Sequence, residues 1–288
     1  MSLARKVRRK KVSRQRPSPR EAGPAAAAVE VKESQKVEAS NKPSAGSVER
    51  AFTILEFLNS SRRGWNISEM SRRLNIPKST THVLVSTLDQ LGYIKQYQSS
   101  RRFQLSPKMF GLGRKALEAT PLPDVALPHM RWLVQETKLT AHVGILEKRQ
   151  VVFVQKVDGP GVIKFDTYIG KCSELHCTGL GKSLVAFQPE EALHSLLTNY
   201  SFNRFTKKTI ATQSGFLAEL ARVRQLGYSI DDEEEELGIR CVAAPIMSAG
   251  VVMAAVSVTG TTTQLRMEDI ERVVALTKCA AVRISASI

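Results

Sequence analysis

The 288-residue sequence has no long hydrophobic run. Its longest apolar stretch, Val251–Val258, is far shorter than the roughly 18–20 residues that a membrane-spanning helix needs, and it suits a buried strand. The N-terminus is basic over Arg5–Arg20, but Ala25–Val29 is too short to be the apolar part of a signal peptide. We therefore expect a cytoplasmic protein with no membrane partner.

Cysteine is also scarce, with four residues in the chain. This number excludes a secreted disulfide scaffold. Cys172, His176 and Cys177 lie close together in the sequence, but no fourth ligand or second pair follows at zinc-site spacing. The pattern favours ordinary buried thiols, so neither a metal site nor a cofactor is predicted.

Enzyme motifs are incomplete. Gly179–Ser183 resembles the end of a phosphate-binding loop, but His176 stands where the first glycine of that loop is needed. Gly111–Gly113 follows no predicted strand, which excludes a dinucleotide fingerprint. No nucleophile, base and orienting group occur at a recognisable spacing. An enzyme is not predicted, although a helix that begins near Gly179 would offer N–H groups to a small anion.

The sequence does have a strong and uneven positive charge. The net charge of the chain is +15. Residues 1–46 contain 12 Lys and Arg against 4 Asp and Glu, and residues 47–106 contain 9 Lys and Arg against 4 Asp and Glu. Residues 120–288 carry 18 of each sign. A basic half joined to a neutral half indicates a part that binds a polyanion and a part with another purpose.

Residues 1–46 lack hydrophobic periodicity and predict a disordered basic arm, in which Arg8–Lys11 would add non-specific phosphate contacts. Order begins at Ser47 with an amphipathic helix to about Asn59. Ser68 is the predicted N-cap of a second helix, Glu69–Leu74, and a third helix runs from Pro77 to Leu91.

Two short runs follow, Tyr93–Gln96 and Phe103–Leu105, with a basic tip between them. Three helices and a hairpin predict a winged helix-turn-helix over residues 47–106. Helical geometry turns Leu84, Leu88 and Leu91 of the third helix to the core. Thr80 lies nearer the core edge, but its place in the first turn still lets it touch the DNA backbone. The predicted DNA-binding residues are Lys78, Ser79, Thr80, His82, Ser86, Arg101 and Arg102.

The remaining chain predicts a helical linker over residues 107–123 and an α+β domain over residues 124–288 for effector binding and oligomerisation. Pro121 and Pro123 are expected to end the helix of the linker, and a further helix is expected at about Asp124–Lys138. The acidic run Asp231–Glu236 is expected to be a solvated loop or helix end. Predicted strands are His142–Leu146, Val151–Val157, Val162–Tyr168, Arg240–Met247 and Val251–Thr259, and predicted helices are Thr178–Phe187, Pro189–Leu197, Phe216–Leu226 and Glu268–Ser285.

Four segments together resemble the IclR family of bacterial transcriptional regulators. They are Ser47-Val48-Glu49-Arg50-Ala51, Leu74-Asn75-Ile76-Pro77-Lys78-Ser79-Thr80, Leu175-His176-Cys177-Thr178-Gly179-Leu180-Gly181-Lys182, and Asp231-Asp232-Glu233 leading to Leu237-Gly238-Ile239-Arg240-Cys241-Val242-Ala243-Ala244-Pro245. The resemblance covers about 240 residues in family order. It implies a GAF-like effector domain, dimers joined through the DNA-binding region, and often tetramers.

The resemblance further implies that a small carboxylate or an aromatic acid binds the effector domain and changes operator affinity. Carried over by position, the effector-binding residues are Gly179, Leu180, Asp231, Cys241, Ser257 and Thr259. Asp231 would repel a carboxylate unless it is protonated or bonded to a ligand hydroxyl. Val83 stands where family members commonly have Arg, so the operator cannot be borrowed from relatives.

The residues thus predict a homodimeric or homotetrameric regulator that binds double-stranded operator DNA and responds to a small-molecule effector. Two alternatives stay open: an enzyme built on the C-terminal domain, and an architectural DNA-binding protein with a ligand-blind oligomerisation domain. The identity of the effector, the operator sequence, and the choice between repression and activation are not predicted.

Overall fold

The structure, a computed structural model, describes residues 46–61, 63–97, 99–117 and 120–288. The predicted basic arm, apart from Gly46, lies outside these ranges. Among the described residues, no helix combines the length and the apolar character needed to cross a membrane.

The N-terminal part is three helices followed by a two-stranded hairpin, as predicted. Each of the three helices and both strands buries a residue in one shared cluster: Ile54, Met70, Val85, Ile94 and Phe103. Since every helix and the hairpin contribute to this core, the hairpin is held against the helices as a wing. The elements are α1 Ser47–Asn59, α2 Ile67–Leu74, α3 Lys78–Gln90, β1 Ile94–Tyr97 and β2 Arg102–Leu105.

The start of α2 differs from the prediction. Asn66, not Ser68, is the N-cap, because its side chain accepts a hydrogen bond from the Glu69 N–H while the Glu69 carboxylate accepts one from the Asn66 N–H. This reciprocal capping satisfies two N–H groups that the helix itself leaves without partners. The turn into α3 then uses Asn75 in the left-handed region, with φ at 53°.

The buried face of α3 is also rotated from the predicted one. Thr81, Val85 and Leu88 are buried, and Leu84 is half-buried. Leu91 was predicted to face the core but is 53% exposed, because the helix ends at Gln90 and Leu91 follows it. Gly92 then turns the chain with φ at +77°, the left-handed conformation that favours glycine.

The C-terminal part is a six-stranded antiparallel sheet in the order β5-β4-β3-β8-β7-β6, with helices on both faces. This confirms the predicted α+β class. The remaining helices are α4 Lys108–Leu117, α5 Leu122–Thr137, α6 Gly179–Ala186, α7 Glu190–Leu197, α8 Gln213–Leu226 and α9 Ile270–Ser285. The strands are β3 Thr140–Glu147, β4 Gln150–Val157, β5 Cys172–Ser173, β6 Ser229–Asp232, β7 Ile239–Ser248 and β8 Val251–Thr261.

The two faces of the sheet have different characters. One face packs on α5 and α9 through a large apolar cluster that includes Val143, Val256 and Val258. The other face packs on α6 and α8. Successive side chains of a strand point to opposite faces of the sheet. His142 and Ser257 each adjoin one of these valines in the sequence, so their side chains lie on the α6 face. Polar residues are thereby collected under α6.

Three further predictions need correction. Helix α5 begins at Leu122 and not at the predicted Asp124, and it includes Pro123, because a proline without its N–H is tolerated in the first helical turn. Val162–Tyr168 is not a strand but part of a loop, residues 158–171, whose carbonyl groups accept hydrogen bonds from lysine side chains such as Lys156 and Lys164. The place beside β4 is taken by β5 instead.

The acidic run Asp231–Glu236 is not a solvated loop. Its first two residues belong to β6, and Asp231 and Glu234 are buried. Lysines from distant segments pair with the run: Lys208 with Asp232 and Glu233, and Lys182 with Glu234. The basic partners are far away in sequence, so a local reading of charge could not find them.

Candidate DNA interface and ligand site

The predicted reading face of α3 is largely open to solvent. Lys78, Ser79 and His82 are exposed, whereas Thr80 and Ser86 are half-buried. Val83 lies beside His82 and is 62% exposed. The exposed face of α3 therefore presents an ammonium, a hydroxyl, an imidazole and an apolar side chain. They lie on one side of the helix, and the major groove of B-DNA is wide enough to admit an α-helix.

The two arginines of the wing differ. Arg101 is exposed at the tip, with φ at +51°. Arg102 forms two hydrogen bonds to the Glu69 carboxylate, of 2.8 and 3.0 Å, and one to the Gly64 carbonyl. A bidentate pair of this kind fixes the guanidinium. Arg102 thus ties the wing to α2, and Arg101 stays exposed at the tip of the wing.

A second set of polar residues meets on the sheet under α6. Cys241 is the cross-strand partner of both Asp231 and Thr259, and Ser257 is the partner of His142. Cross-strand partners share a face, so the predicted residues on β6, β7 and β8 are brought together. Cys241 stays partly accessible although it lies in the middle of this row.

The start of α6 lies directly above this row. A Cβ atom on Gly179 would stand 3.2 Å from the Ala243 Cβ and 3.6 Å from the Cys241 Cβ. Thr178 is the N-cap and its hydroxyl accepts a hydrogen bond from the Gly181 N–H. The N–H groups of Gly179 and Leu180 belong to the first turn, whose donors have no partner inside the helix.

Asp231 is the acidic member of the site. Burial raises its pKa to about 7, while the Lys182 ammonium and the hydrogen bond from the Glu234 N–H act in the opposite direction. The raised pKa keeps the protonated carboxyl accessible at pH values where an exposed aspartate is fully charged. This is the condition under which Asp231 need not repel a carboxylate ligand.

Lys182 stands where the lysine of a P-loop would contact a nucleotide phosphate, but its side chain is engaged inside the fold. Its side chain is fully buried, and its ammonium donates to the Ile230 carbonyl and, over 2.5 Å, to the Glu234 carboxylate. The charge is compensated inside the fold by β6 and the residues after it. A nucleotide phosphate could not reach it without breaking this buried pair.

Three residues that the sequence reading missed adjoin the site. They are His142 on β3, its cross-strand partner Lys156 on β4, and Thr167 in the 158–171 loop. The Nε2 atom of His142 lies 2.8 Å from the Thr167 hydroxyl. A histidine inside an apolar strand was a visible signal, but the approach of Thr167 depends on the path of the loop.

An open groove of about 620 Å³ at the C-terminal end of α6 is a weaker candidate site. Its lining includes Glu190, Leu217 and Arg224, and the Arg224 Nε already donates to the Ala186 carbonyl. Within the described part of the chain, no group of three or more His, Cys, Asp or Glu residues is placed to hold a metal ion. Cys177 is buried as expected, whereas Cys172 is exposed.

Comparison with known proteins places both halves. The chain matches the IclR helix-turn-helix domain over residues 47–97 and the C-terminal domain of the bacterial transcriptional regulator IclR over residues 114–286. It is 34% identical over 244 residues to the HTH-type transcriptional regulator KdgR of Escherichia coli, covering 84% of this chain and 92% of that protein.

Two solved structures share the fold. The Thermotoga maritima IclR superposes with a TM-score of 0.66 and 28% identity, covering 83% of this chain and 97% of that one. An IclR homologue of Microbacterium hydrocarbonoxydans, complexed with 4-hydroxybenzoate, superposes with a TM-score of 0.71 and 24% identity, covering 84% and 98%. With both parts of the sequence matched, this chain belongs to the IclR family of bacterial transcriptional regulators.

Proposed function

We propose that this protein binds an operator through α3 and the wing, and that a small organic acid bound under α6 changes its affinity for that operator. The observation that carries the proposal is the buried polar row Asp231, Cys241 and Thr259 beneath the first turn of α6. These side chains already bond to one another or to the Glu234 N–H, so the groups that a ligand carboxylate would meet are the N–H groups in the first turn of α6 above them.

For DNA binding, α3 would enter the major groove. Lys78, Ser79 and His82 would reach base edges or phosphates, with Thr80 and Ser86 at the margin of the contact. Arg101 would contact a phosphate beside the groove. Arg102 would act indirectly, because its guanidinium is engaged with Glu69.

For effector binding, the ligand carboxylate would accept hydrogen bonds from the N–H groups of Gly179 and Leu180 at the positive end of α6. Asp231 in its protonated form would donate a further hydrogen bond. Cys241, Ser257 and Thr259 would contact the rest of the molecule. The complex of the Microbacterium homologue with 4-hydroxybenzoate gives a precedent for an acid ligand in this fold.

Apolar side chains on the N-terminal helices support a homodimer. Val48 and Phe52 on α1 are exposed, as are Phe110 and Leu112 on α4. An interface between two chains would remove these four apolar side chains from water. We propose that they join two chains, so that paired reading faces meet a palindromic operator, and that the regulator works in the cytoplasm.

Selection of operator DNA with the full chain, followed by a mobility-shift assay with a panel of organic acids, tests the function. At least one acid should change the dissociation constant by about 5- to 150-fold, the usual range of coupling between two sites. Lys78→Ala and His82→Ala should weaken DNA binding and leave acid binding unchanged.

Lys148→Ala is the control, because it removes an exposed cation in the turn between β3 and β4. If the affinity for the selected operator is the same with every acid, the proposal that a bound acid changes operator affinity is wrong. A protein that selects no sequence would contradict the operator half and favour an architectural role.

A further inference from the structure

A cleft of about 490 Å³ lies between the wing and the start of α2 in the N-terminal part of the chain. One wall is the first turn of α2 with its N-cap, and the other wall is the turn of the wing with the strand residues beside it. The residues that line the cleft are Asn66, Ile67, Ser68, Gln96, Ser100, Arg101 and Phe103. None of these residues belongs to α3, so the cleft is separate from the proposed reading face.

The wall formed by α2 presents hydrogen-bond donors. Asn66 is the N-cap, and its side chain accepts a hydrogen bond from the Glu69 N–H. The Met70 N–H donates to the Asn66 carbonyl, which begins the hydrogen bonding along the helix. The N–H groups of Ile67 and Ser68 come before these donors, in the part of a helix whose N–H groups have no acceptor within it. Ser68 is exposed and adds a hydroxyl group.

The wall formed by the wing carries a full positive charge. Arg101 is exposed in the turn between β1 and β2. The Gln96 side chain donates to the Arg101 carbonyl over 3.4 Å, and the Arg101 N–H donates to the Tyr97 carbonyl over 2.8 Å. Both bonds use backbone atoms of Arg101, so they hold the turn without engaging the guanidinium. A helix start attracts an anion only through partial charges, so the guanidinium across the cleft is what makes it an anion site.

The negative charge of Glu69, the residue after Ser68, is compensated. Its carboxylate accepts two hydrogen bonds from the Arg102 guanidinium, of 2.8 and 3.0 Å, and one from the Asn66 N–H at 3.0 Å. An anion in the cleft would therefore meet a paired carboxylate and not a free one. The same pair joins α2 to β2, so it fixes the two walls of the cleft relative to each other.

A phosphate group of the DNA backbone matches this arrangement. It carries one negative charge and has two oxygen atoms that accept hydrogen bonds. The donors of Ile67 and Ser68 would bind one oxygen, and the Arg101 guanidinium would bind the other. In helix-turn-helix proteins the helix before the recognition helix crosses the DNA backbone, and backbone N–H groups at helix starts are among the groups that contact phosphates.

We propose that the cleft between α2 and the wing binds one phosphate of the operator backbone, held between Ser68 and Arg101. This inference rests on the proposed binding of an operator, to which it adds a second site away from α3. The site touches no base, so it contributes affinity and fixes the orientation in which α3 enters the groove, while sequence is read elsewhere.

Replacement of single phosphates in the selected operator tests the site with the full chain. A methylphosphonate linkage nearly keeps the shape of a phosphate and removes its charge. In mobility-shift titrations with one linkage replaced at a time, at least one position should weaken binding by the wild-type chain about 10-fold or more. At that position the loss should fall to about a third or less of the wild-type factor in Arg101→Ala and in Ser68→Pro, because each variant has already lost part of the contact.

Each variant has a matched control. Ser68→Pro removes an N–H and a hydroxyl, and proline is tolerated there, since Pro123 is likewise the second residue of α5. Ser214→Pro is its control, because Ser214 is an exposed serine at the second residue of α8. Lys148→Ala is the control for Arg101→Ala, because Lys148 is an exposed cation in another hairpin turn, with φ at +54°. Both controls should keep the wild-type loss at every position.

The site and the proposed function fail in different ways. If every replacement weakens Arg101→Ala and Ser68→Pro as much as the wild type, or if no position costs the wild type about 10-fold, no phosphate is bound in the cleft and operator binding still stands. If thermal unfolding shows that Ser68→Pro has lost its fold, Arg101→Ala and Ser68→Ala decide by the same criterion. If the wild-type chain selects no DNA sequence, operator binding and the site are both refuted.

Discussion

At the residue scale, Asp231 is the group through which pH would act on the proposed ligand site. Its pKa is raised from 3.8 to about 7 because the folded chain buries the carboxyl, so the protonated form is the one that the fold favours. An anionic ligand favours this form further. The charged groups that face Asp231 are Lys182, Glu234 and Glu235.

We expect the affinity for a carboxylate ligand to fall about 10-fold between pH 6 and pH 8, as Asp231 loses its proton. Asp231→Asn should remove most of this dependence, because an amide of similar shape does not titrate. The variant should also lose less stability than the wild type over the same interval, since charging the buried carboxyl lowers the free energy of unfolding. Calorimetry and thermal unfolding at several pH values measure both effects; an unchanged pH profile in the variant would contradict the assignment.

Val83 is the second residue with a sharp consequence. An exposed valine on a reading face suits the C5-methyl group of thymine. Replacing one operator thymine by deoxyuridine, which removes only that methyl group, should weaken binding by the wild-type chain about 3- to 10-fold. Val83→Ala should bind both operators alike. Equal binding of the two operators by the wild-type chain, at every thymine of the site, would show that Val83 does not read a methyl group.

At the scale of elements, the wing depends on the pair of Arg102 and Glu69. Glu69 also caps α2, so one carboxylate joins the helix start to β2. The pair is partly exposed, with 33% and 21% of the two side chains accessible, so its contribution is expected to be modest.

Salt dependence separates a phosphate contact from a positioning contact. Arg101→Ala should lower the slope of log affinity against log salt by about one unit for each chain, because a phosphate contact is lost. Arg102→Ala should weaken binding at all salt concentrations and keep the slope. Mobility-shift titrations at four salt concentrations measure this; equal slopes for Arg101→Ala and the wild type would remove Arg101 from the interface.

At the scale of the whole molecule, the apolar surface of α1 and α4 should hold the dimer. Phe52→Asp and Phe110→Asp each place a charge on an exposed apolar site and should convert dimers to monomers at micromolar concentration. Operator affinity should fall with them. Sedimentation equilibrium is the measurement, and Val162→Asp, a change at another exposed apolar site, is the control; dimers that persist in both variants would place the interface elsewhere.

Among the described residues, a hydrogen bond joins the N-terminal helices to the C-terminal domain. The Asn59 side-chain amide donates to the Tyr168 hydroxyl over 2.8 Å, and Tyr168 follows the Thr167 that touches His142. We expect Tyr168→Phe to reduce the change in operator affinity caused by an effective acid about 3-fold, with acid binding itself unchanged. Asn59→Leu should act in the same way. Full coupling in both variants would exclude this contact from the signal.

Much of this architecture was accessible from the sequence because it follows from local rules. The periodicity of α1, the proline and glycine at the ends of α3, and the alternation in β7 and β8 each depend on neighbouring residues. The predictions that failed depended on distant partners. The acidic run after Ile230 is ordered by lysines from other segments, and the 158–171 loop is held by lysine side chains in place of a strand partner.

The sequence by itself determined that a basic helix-turn-helix precedes a neutral α+β domain, and helical spacing was enough to choose the candidate reading face of α3. Only the tertiary structure decided which residues complete the proposed ligand site. His142, Lys156 and Thr167 come from two strands and a loop, and burial sets the proton on Asp231. Helical spacing is a property of adjacent residues, whereas burial and strand register arise only when distant segments pack together.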